Sequence, residues 1–124
     1  MSPQNQRLQQ IEEHLQAMMG VQVEFPFGPE PKVFKVAGKM FAWTAVKDGI
    51  PVMTVKASPG DVAFLIDEFQ DITPGYHMNK RHWVTVRLNG QVEQGMLEDL
   101  ATTSYTLVVR KLTKAKQKSL GFTE

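Results

Sequence analysis

Hydrophobic side chains recur every three or four residues in three stretches of the chain, which is the period of a helix with one buried face. The first stretch predicts a helix between Pro3 and Gly20, residues suited to open and to close a helix. The second predicts a helix after the N-cap residue Ser58, and the third a helix from about Glu93 to Leu112. The buried faces of the first two helices are predicted to consist of Leu8, Ile11, Leu15, Met18, Val62, Leu65, Ile66 and Phe69.

Other hydrophobic residues alternate with polar ones, as is typical of strands that bury one face. This alternation predicts strands at Val21–Phe25, Lys32–Val36, Met40–Val46, Pro51–Lys56 and Trp83–Leu88. The turns between the second, third and fourth strands are short, and one of them contains Asp-Gly, the strongest hairpin signal in the chain. These strands are therefore predicted to pair antiparallel. Residues 70–82 have no clear period and are predicted to be irregular.

Together, these elements predict an α+β fold of two layers, in the order α-β-β-β-β-α-β-α. Three helices are expected to pack mainly on one face of an antiparallel sheet of about five strands. On the other face, alternation places Thr54 and Lys56 beside Trp83, Thr85 and Arg87. Because most of these side chains are polar, we expect this face to be partly open to water.

Composition excludes several classes of protein. The 124 residues suit a single domain over 1–124, with a basic C-terminal tail from about residue 113. The chain contains no cysteine, which excludes disulfides, thiolate nucleophiles and cysteine-ligated metal sites. No apolar run approaches the ~20 residues that cross a bilayer, and the polar N-terminus does not resemble a signal peptide. We therefore expect a cytoplasmic protein without membrane association.

The charge is unevenly distributed along the chain. The formal net charge of +1 combines −3 over residues 1–109 with +4 over residues 110–124. The cations of the second segment are Arg110, Lys111, Lys114, Lys116 and Lys118. They either complement the dipole at a helix C-terminus and continue into a solvated tail, which is the commoner arrangement, or provide a contact for an anionic partner.

Five segments of the chain resemble the MmcQ/YjbR family of small bacterial proteins. They are FPFGP at 25–29, VFKVAGKMFA at 33–42, VKASP at 55–59, PGYHMNKRHWVTV at 74–86 and SYTLVVRKL at 104–112. The resemblance implies a two-layer fold like that of type III secretion chaperones and frataxin-like proteins. It also implies DNA binding, through likeness to a "double wing" fold, and it implies no catalytic residue.

The segment YHMNKRHW at 76–83 concentrates most of the candidate chemistry of the chain. On duplex DNA, Lys80 and Arg81 would contact phosphates, while an aromatic side chain would lie beside sugars or bases. Further cations on the polar sheet face and near the hairpin turns would extend this contact. The predicted DNA-binding set is Lys35, Lys39, Lys56, Tyr76, His77, Asn79, Lys80, Arg81, His82, Trp83 and Arg87.

A purely structural role for the same segment is an open alternative. Asn79 would cap a turn, the histidines would bond to backbone carbonyls, and Tyr76 and Trp83 would pack at the sheet edge. A third interpretation is a protein-interaction or chaperone-like module without enzymatic activity, either a monomer or a weak dimer. It would expose an apolar patch containing residues such as Val33, Val52 or Trp83.

Metal binding and catalysis have little support in the sequence. His77 and His82 are five residues apart, and the chain has no HxH, HxxxH or HExxH spacing. A general base at one of these histidines would lack a nucleophile elbow, a phosphate loop or a pair of carboxylates to work with. We therefore expect no metal, no cofactor and no enzymatic activity, with double-stranded DNA as the leading partner.

Overall fold

One antiparallel sheet organises residues 3–122, the part of the chain that the computed structural model describes. Its six strands lie in the spatial order β1-β2-β3-β4-β6-β5. The predicted α+β class is confirmed, with one strand more than expected. The elements in chain order are α1 (Pro3–Ala17), β1 (Val21–Glu24), β2 (Lys32–Val36), β3 (Lys39–Lys47), β4 (Ile50–Lys56), α2 (Pro59–Glu68), β5 (Ile72–Pro74), β6 (Trp83–Arg87), α3 (Gln94–Arg110) and α4 (Lys114–Ser119).

The main core lies between one face of this sheet and three helices. Helices α1 and α3 contact each other and cover β3 and β4, while α2 packs beside β5 and β6. Ile11 and Leu15 of α1 are fully buried, and Phe34 and Phe41 meet them from the sheet. The predicted helical faces are thus confirmed for the first two helices, because every residue assigned to them belongs to this core or packs against it.

Local sequence signals explain where α2 begins. The side chain of Ser58 accepts a hydrogen bond of 3.3 Å from the backbone N–H of Asp61, and Pro59 takes the first helical position. Such a cap satisfies one of the N–H groups that a helix start leaves unpaired. No helix in the described part of the chain is long and apolar enough to cross a membrane.

Two observed elements differ from the sequence prediction. Strand β5 has only three residues, too few for alternation to be visible. Helix α4 lies in the predicted basic tail and buries no residue, so it shows no hydrophobic period. Thr113 is the N-cap of this helix, and its side chain accepts a hydrogen bond from the backbone N–H of Lys116. The Gln117 side chain holds it to the end of α3 by donating to the carbonyls of Val109 and Leu112, at 3.0 Å each.

The opposite face of the sheet is more covered than the alternation predicts. Residues 75–82, which we call the 75–82 loop, fold back across it. Thr54 and Thr85 are 0% and 3% exposed, and their hydroxyls are 2.7 Å apart. The backbone N–H of Tyr76 donates to Thr85 Oγ1 at 2.9 Å, and Met78 packs on a small cluster that contains Trp43. The expectation of a face partly open to water is therefore wrong over the area beneath this loop.

Candidate functional site

The 75–82 loop is shaped by contacts among its own residues. Lys80 Nζ donates to the carbonyl of Gly75 at 2.9 Å, and Asn79 Oδ1 accepts from the N–H of Arg81 at 3.0 Å. A Cβ added at Gly75 would lie 2.6 Å from the Cβ of Trp83, so the chain needs glycine there for lack of space. Lys80 and Asn79, two of the predicted DNA contacts, thus have structural partners inside the loop.

Three other predicted DNA contacts are buried, paired with a carboxylate or placed toward another end of the sheet. Trp83 is only 9% exposed, which leaves no free ring face for a base. Lys35 Nζ lies 2.8 Å from Glu24 Oε1 in an ion pair. Arg87 is exposed but lies opposite Val52, toward the end of the sheet that carries the β3–β4 turn.

The three residues suggested for the apolar patch of a protein-interaction module are not exposed. Val33, Val52 and Trp83 are 4%, 2% and 9% exposed, so the expectation that they are exposed is wrong. Val33 and Val52 are buried because they pack with Trp43 in a small cluster, and Met78 of the 75–82 loop packs against that cluster. Exposed aromatic surface occurs instead at Phe27, which is 81% exposed.

An open groove of about 680 Å³ remains beside the 75–82 loop, and we call it the outer groove. Its apolar lining consists mainly of Phe27, Val33, Met40, Trp43, Tyr76 and Met78, and its polar members are Glu30 and His77. Glu30 Oε1 is held by a 3.3 Å hydrogen bond from the backbone N–H of Val46. No ion pair involves Glu30 within residues 5–122.

Two aromatic side chains form one side of the outer groove. The rings of Tyr76 and His77 are 3.9 Å apart between centroids, and Lys47 Nζ lies 3.9 Å from the centroid of the Tyr76 ring. His77 has a φ of 60°, in the left-handed region that few residues other than glycine adopt. This backbone conformation presents two aromatic rings side by side at the groove.

Three lysines from separate elements line a second groove, of about 330 Å³, which we call the lysine groove. Lys39 begins β3, Lys56 ends β4, and Lys111 follows the last residue of α3. Met40, Val108 and Leu112 complete the lining, which contains no carboxylate. The geometry therefore concentrates positive charge beside an apolar floor.

The environment of Lys56 reflects this concentration of charge. Partial burial, and then the neighbouring Lys111 ammonium, lower the pKa of Lys56 from its usual 10.5. Its backbone N–H donates to Ser104 Oγ at 2.8 Å, and Ser104 Oγ donates to the carbonyl of Phe41 at 2.5 Å. These bonds fix the end of β4 against α3 and bring the two lysines together.

The placement of Lys56 differs from the prediction. Alternation puts it on the outer sheet face with Arg87, but its side chain lines a groove with residues of α3. Lys56 pairs with Trp83 and Arg87 pairs with Val52, so the two cations are about 13 Å apart along the strands. Exposed Arg81 lies near Lys56, two residues before its cross-strand partner.

Lys111 and Phe27 lie outside the predicted DNA-binding set, although Lys111 is one of the C-terminal cations for which contact with an anionic partner is an alternative. Lys111 was available as one of the cations after residue 109, but its proximity to Lys56 depends on how α3 packs. Phe27 lies in a Pro- and Gly-rich stretch and is largely exposed. A large aromatic residue in such a stretch is the sequence signal that could have identified it. Within the described residues, no group of three or more His, Asp or Glu side chains is placed to hold a metal ion.

Comparisons with known proteins agree with the fold and with the segments of sequence resemblance. The crystal structure of the Deinococcus radiodurans protein DR2400, a DUF419 domain, superposes with a TM-score of 0.83 at 35% identity, covering 94% of this chain and 88% of that one. A Pseudomonas syringae protein superposes with a TM-score of 0.70 at 27% identity, covering 80% and 96%.

Similarity in sequence extends to two proteins of Escherichia coli. The uncharacterized protein YbdF of strain O157:H7 is 39% identical over 98 residues, which are 79% of this chain and 80% of YbdF. The uncharacterized protein YjbR of strain K12 is 33% identical over 86 residues, 69% of this chain and 73% of YjbR. The model of the YjbR family matches residues 16–107. The resemblance found in the sequence is thereby confirmed, and the chain belongs to the YjbR family.

Proposed function

We propose that the protein binds double-stranded DNA, mainly through the phosphate backbone, at the lysine groove. The observation that carries this proposal is the convergence of Lys39, Lys56 and Lys111 on one groove whose lining has no carboxylate. Phosphate oxygens are the usual partners of such lysines in protein–DNA complexes. We propose that the protein is a cytoplasmic binding protein, either a monomer or a weak dimer, rather than an enzyme.

Neighbouring cations extend the positive surface. Arg110 ends α3, and α4 adds Lys116 and Lys118 in its last turn. Arg81 is exposed near the end of β4 that carries Lys56. If these side chains contact phosphates adjacent to the lysine groove, the protein binds the DNA backbone rather than a single anion.

The like charges of Lys56 and Lys111 lie close together in the lysine groove, which is unfavourable when no anion is bound there. The lowered pKa of Lys56 has the Lys111 charge as a cause, after burial. A bound phosphate would favour the charged form of both lysines and so remove this disadvantage.

The number of lysines in the groove determines how strongly DNA binding should depend on salt. Each phosphate neutralised on duplex DNA contributes about −0.9 to the slope of log K against log salt, so three lysines predict a slope of about −2.7. Affinity should then fall about 40-fold between roughly 50 and 200 mM salt. Contacts from α4 would make the slope steeper.

A fluorescence anisotropy titration of a labelled blunt duplex tests the proposal. Lys111→Gln is expected to weaken binding and to reduce the slope by about 0.9, to a fall of about 12-fold over the same range of roughly 50–200 mM salt. Arg87→Gln removes one exposed cation at the other end of the sheet and serves as the matched control, with little effect expected. Equal effects of the two substitutions, or the absence of salt-dependent binding, would contradict the proposal.

The residues given as examples for the protein-interaction alternative are not exposed, since Val33, Val52 and Trp83 are all buried. The lysine groove has no comparable role in that alternative. DNA binding is therefore the function that we propose.

A further inference from the structure

The outer groove and the lysine groove are neighbours that share one wall. Met40 lines both of them, with Trp43 and Tyr76 on one side and Lys39, Lys56 and Lys111 on the other. An aromatic, apolar compartment thus shares the lining residue Met40 with a cationic one. The two compartments match the two parts of a nucleotide, a flat base and a phosphate.

The apolar part of the outer groove is suited to a flat aromatic ring. Aromatic faces bind other rings by offset stacking, and methionine sulfur makes favourable contacts with ring edges. Phe27 is 81% exposed and Tyr76 is 39% exposed, so both have surface to offer a ligand. The volume of about 680 Å³ lies within the range of small-molecule sites and exceeds the needs of one base.

The polar part of the outer groove is suited to the edge of a base. Glu30 Oε1 accepts from the N–H of Val46, which holds the carboxylate in place. No lysine or arginine among residues 5–122 forms an ion pair with Glu30. A carboxylate accepts hydrogen bonds only, and the exocyclic amino group of cytosine is a known donor to such a side chain.

We propose that the outer groove binds a nucleobase that is outside the double-helical stack, while the phosphate of the same strand lies in the lysine groove. This inference rests on the proposed function and deepens it, because it names the preferred DNA as a duplex with a single-stranded end. A base inside a duplex is stacked on both sides and cannot enter the groove. An unpaired base at the end of a strand can do so without breaking a base pair.

Three DNA molecules of one duplex sequence test the inference by fluorescence anisotropy. The first is blunt, the second carries a short overhang of cytosines, and the third carries the same overhang with abasic residues. The phosphates of the second and third are identical, so their difference reports the bases alone. Stacking on aromatic side chains predicts that the cytosine overhang binds about tenfold more tightly than the abasic one.

Phe27→Ala tests whether the bases bind in the outer groove. Because Phe27 is largely exposed, the fold should tolerate the change, and the difference between the cytosine and abasic overhangs should disappear. Phe64→Ala is the matched control, since Phe64 is 61% exposed on α2 and does not line the groove. A further duplex with a thymine overhang tests Glu30, because thymine presents an acceptor in place of the amino group, and Glu30→Gln should reduce the preference for cytosine over thymine.

The outcomes separate this inference from the proposed function. Equal affinity for the two overhangs, or a difference that survives in Phe27→Ala, overturns the base site while blunt-duplex binding still supports the phosphate site. Failure of all three DNA molecules to bind overturns both. Competition by cytidine monophosphate at the affinity of the overhang would assign the groove to free nucleotides and overturn the preference for strand ends.

Discussion

Replacing Thr85 by valine is expected to loosen the 75–82 loop from the sheet. Valine preserves the shape of threonine but removes the hydroxyl that joins the loop to the outer face. That hydroxyl is 2.7 Å from the Thr54 hydroxyl and accepts the N–H of Tyr76 at 2.9 Å. The substitution therefore leaves one buried hydroxyl and one backbone N–H without their partners.

The expected magnitude follows from those two groups. Leaving a buried polar group unpaired costs about 1–3 kcal/mol, so the two groups left by Thr85→Val should lower the free energy of unfolding by about 2–6 kcal/mol. Thr54→Val should cost less, about 1 kcal/mol, because the Thr85 hydroxyl keeps its bond to Tyr76. In the double variant the orphaned Thr54 hydroxyl is absent, so the double variant should be more stable than Thr85→Val alone.

Urea unfolding of the four proteins in this cycle measures these differences. The two single effects should fail to add, with the Thr54 substitution becoming favourable once Thr85 is valine. Additive effects, or a loss below about 0.5 kcal/mol in Thr85→Val, the ordinary range of a surface substitution, would refute the view that this hydroxyl fastens the loop.

Three further substitutions test other parts of the account. Gly75→Ala should destabilise the protein by about 1–3 kcal/mol in urea unfolding, because the new Cβ would lie 2.6 Å from that of Trp83. Ser104→Ala should cost about 2–6 kcal/mol in the same assay, because it removes the partner of a backbone N–H and of a backbone carbonyl. Lys111→Gln should raise the pKa of Lys56, followed by NMR of the lysine side chains. The folded pKa of Lys56 lies below 10.5, so stability rises with pH between the two values, and this rise should shrink in the variant.

Much of the fold was predictable because its signals are local. The start of α2 depends on Ser58 and its immediate neighbours, which any helix start of this kind requires. The β3–β4 hairpin depends on Asp48 and Gly49, whose φ values of 53° and 78° are the positive angles that a tight hairpin turn uses. Such features need no knowledge of the rest of the chain.

The candidate site was less predictable because it depends on distant contacts. Alternation would predict the sheet face of Lys56 correctly only if the strand stayed regular to its end and the elements packed against it were known. At the end of β4, the packing of α3 brings Lys111 beside it, and no local pattern reports that approach. The burial of Thr54 likewise depends on the 75–82 loop folding back, which the irregular sequence of that loop does not indicate.

The 75–82 loop connects the fold to both proposed sites. Its carbonyl at Gly75 holds Lys80, and its Tyr76 and Met78 form part of the outer groove. Its Lys80 side chain is therefore used for structure, whereas Lys39, Lys56 and Lys111 converge on the lysine groove. The variants of Thr85 and Gly75 should accordingly affect the outer groove more than the lysine groove.

A chemical-shift titration of isotope-labelled protein with a blunt DNA duplex tests whether the lysine groove binds DNA. We expect the largest shifts at Lys39, Lys56 and Lys111, and smaller shifts throughout at higher salt. Shifts centred on Arg87 at the opposite end of the sheet, or no salt-sensitive shift at all, would contradict DNA binding at the lysine groove.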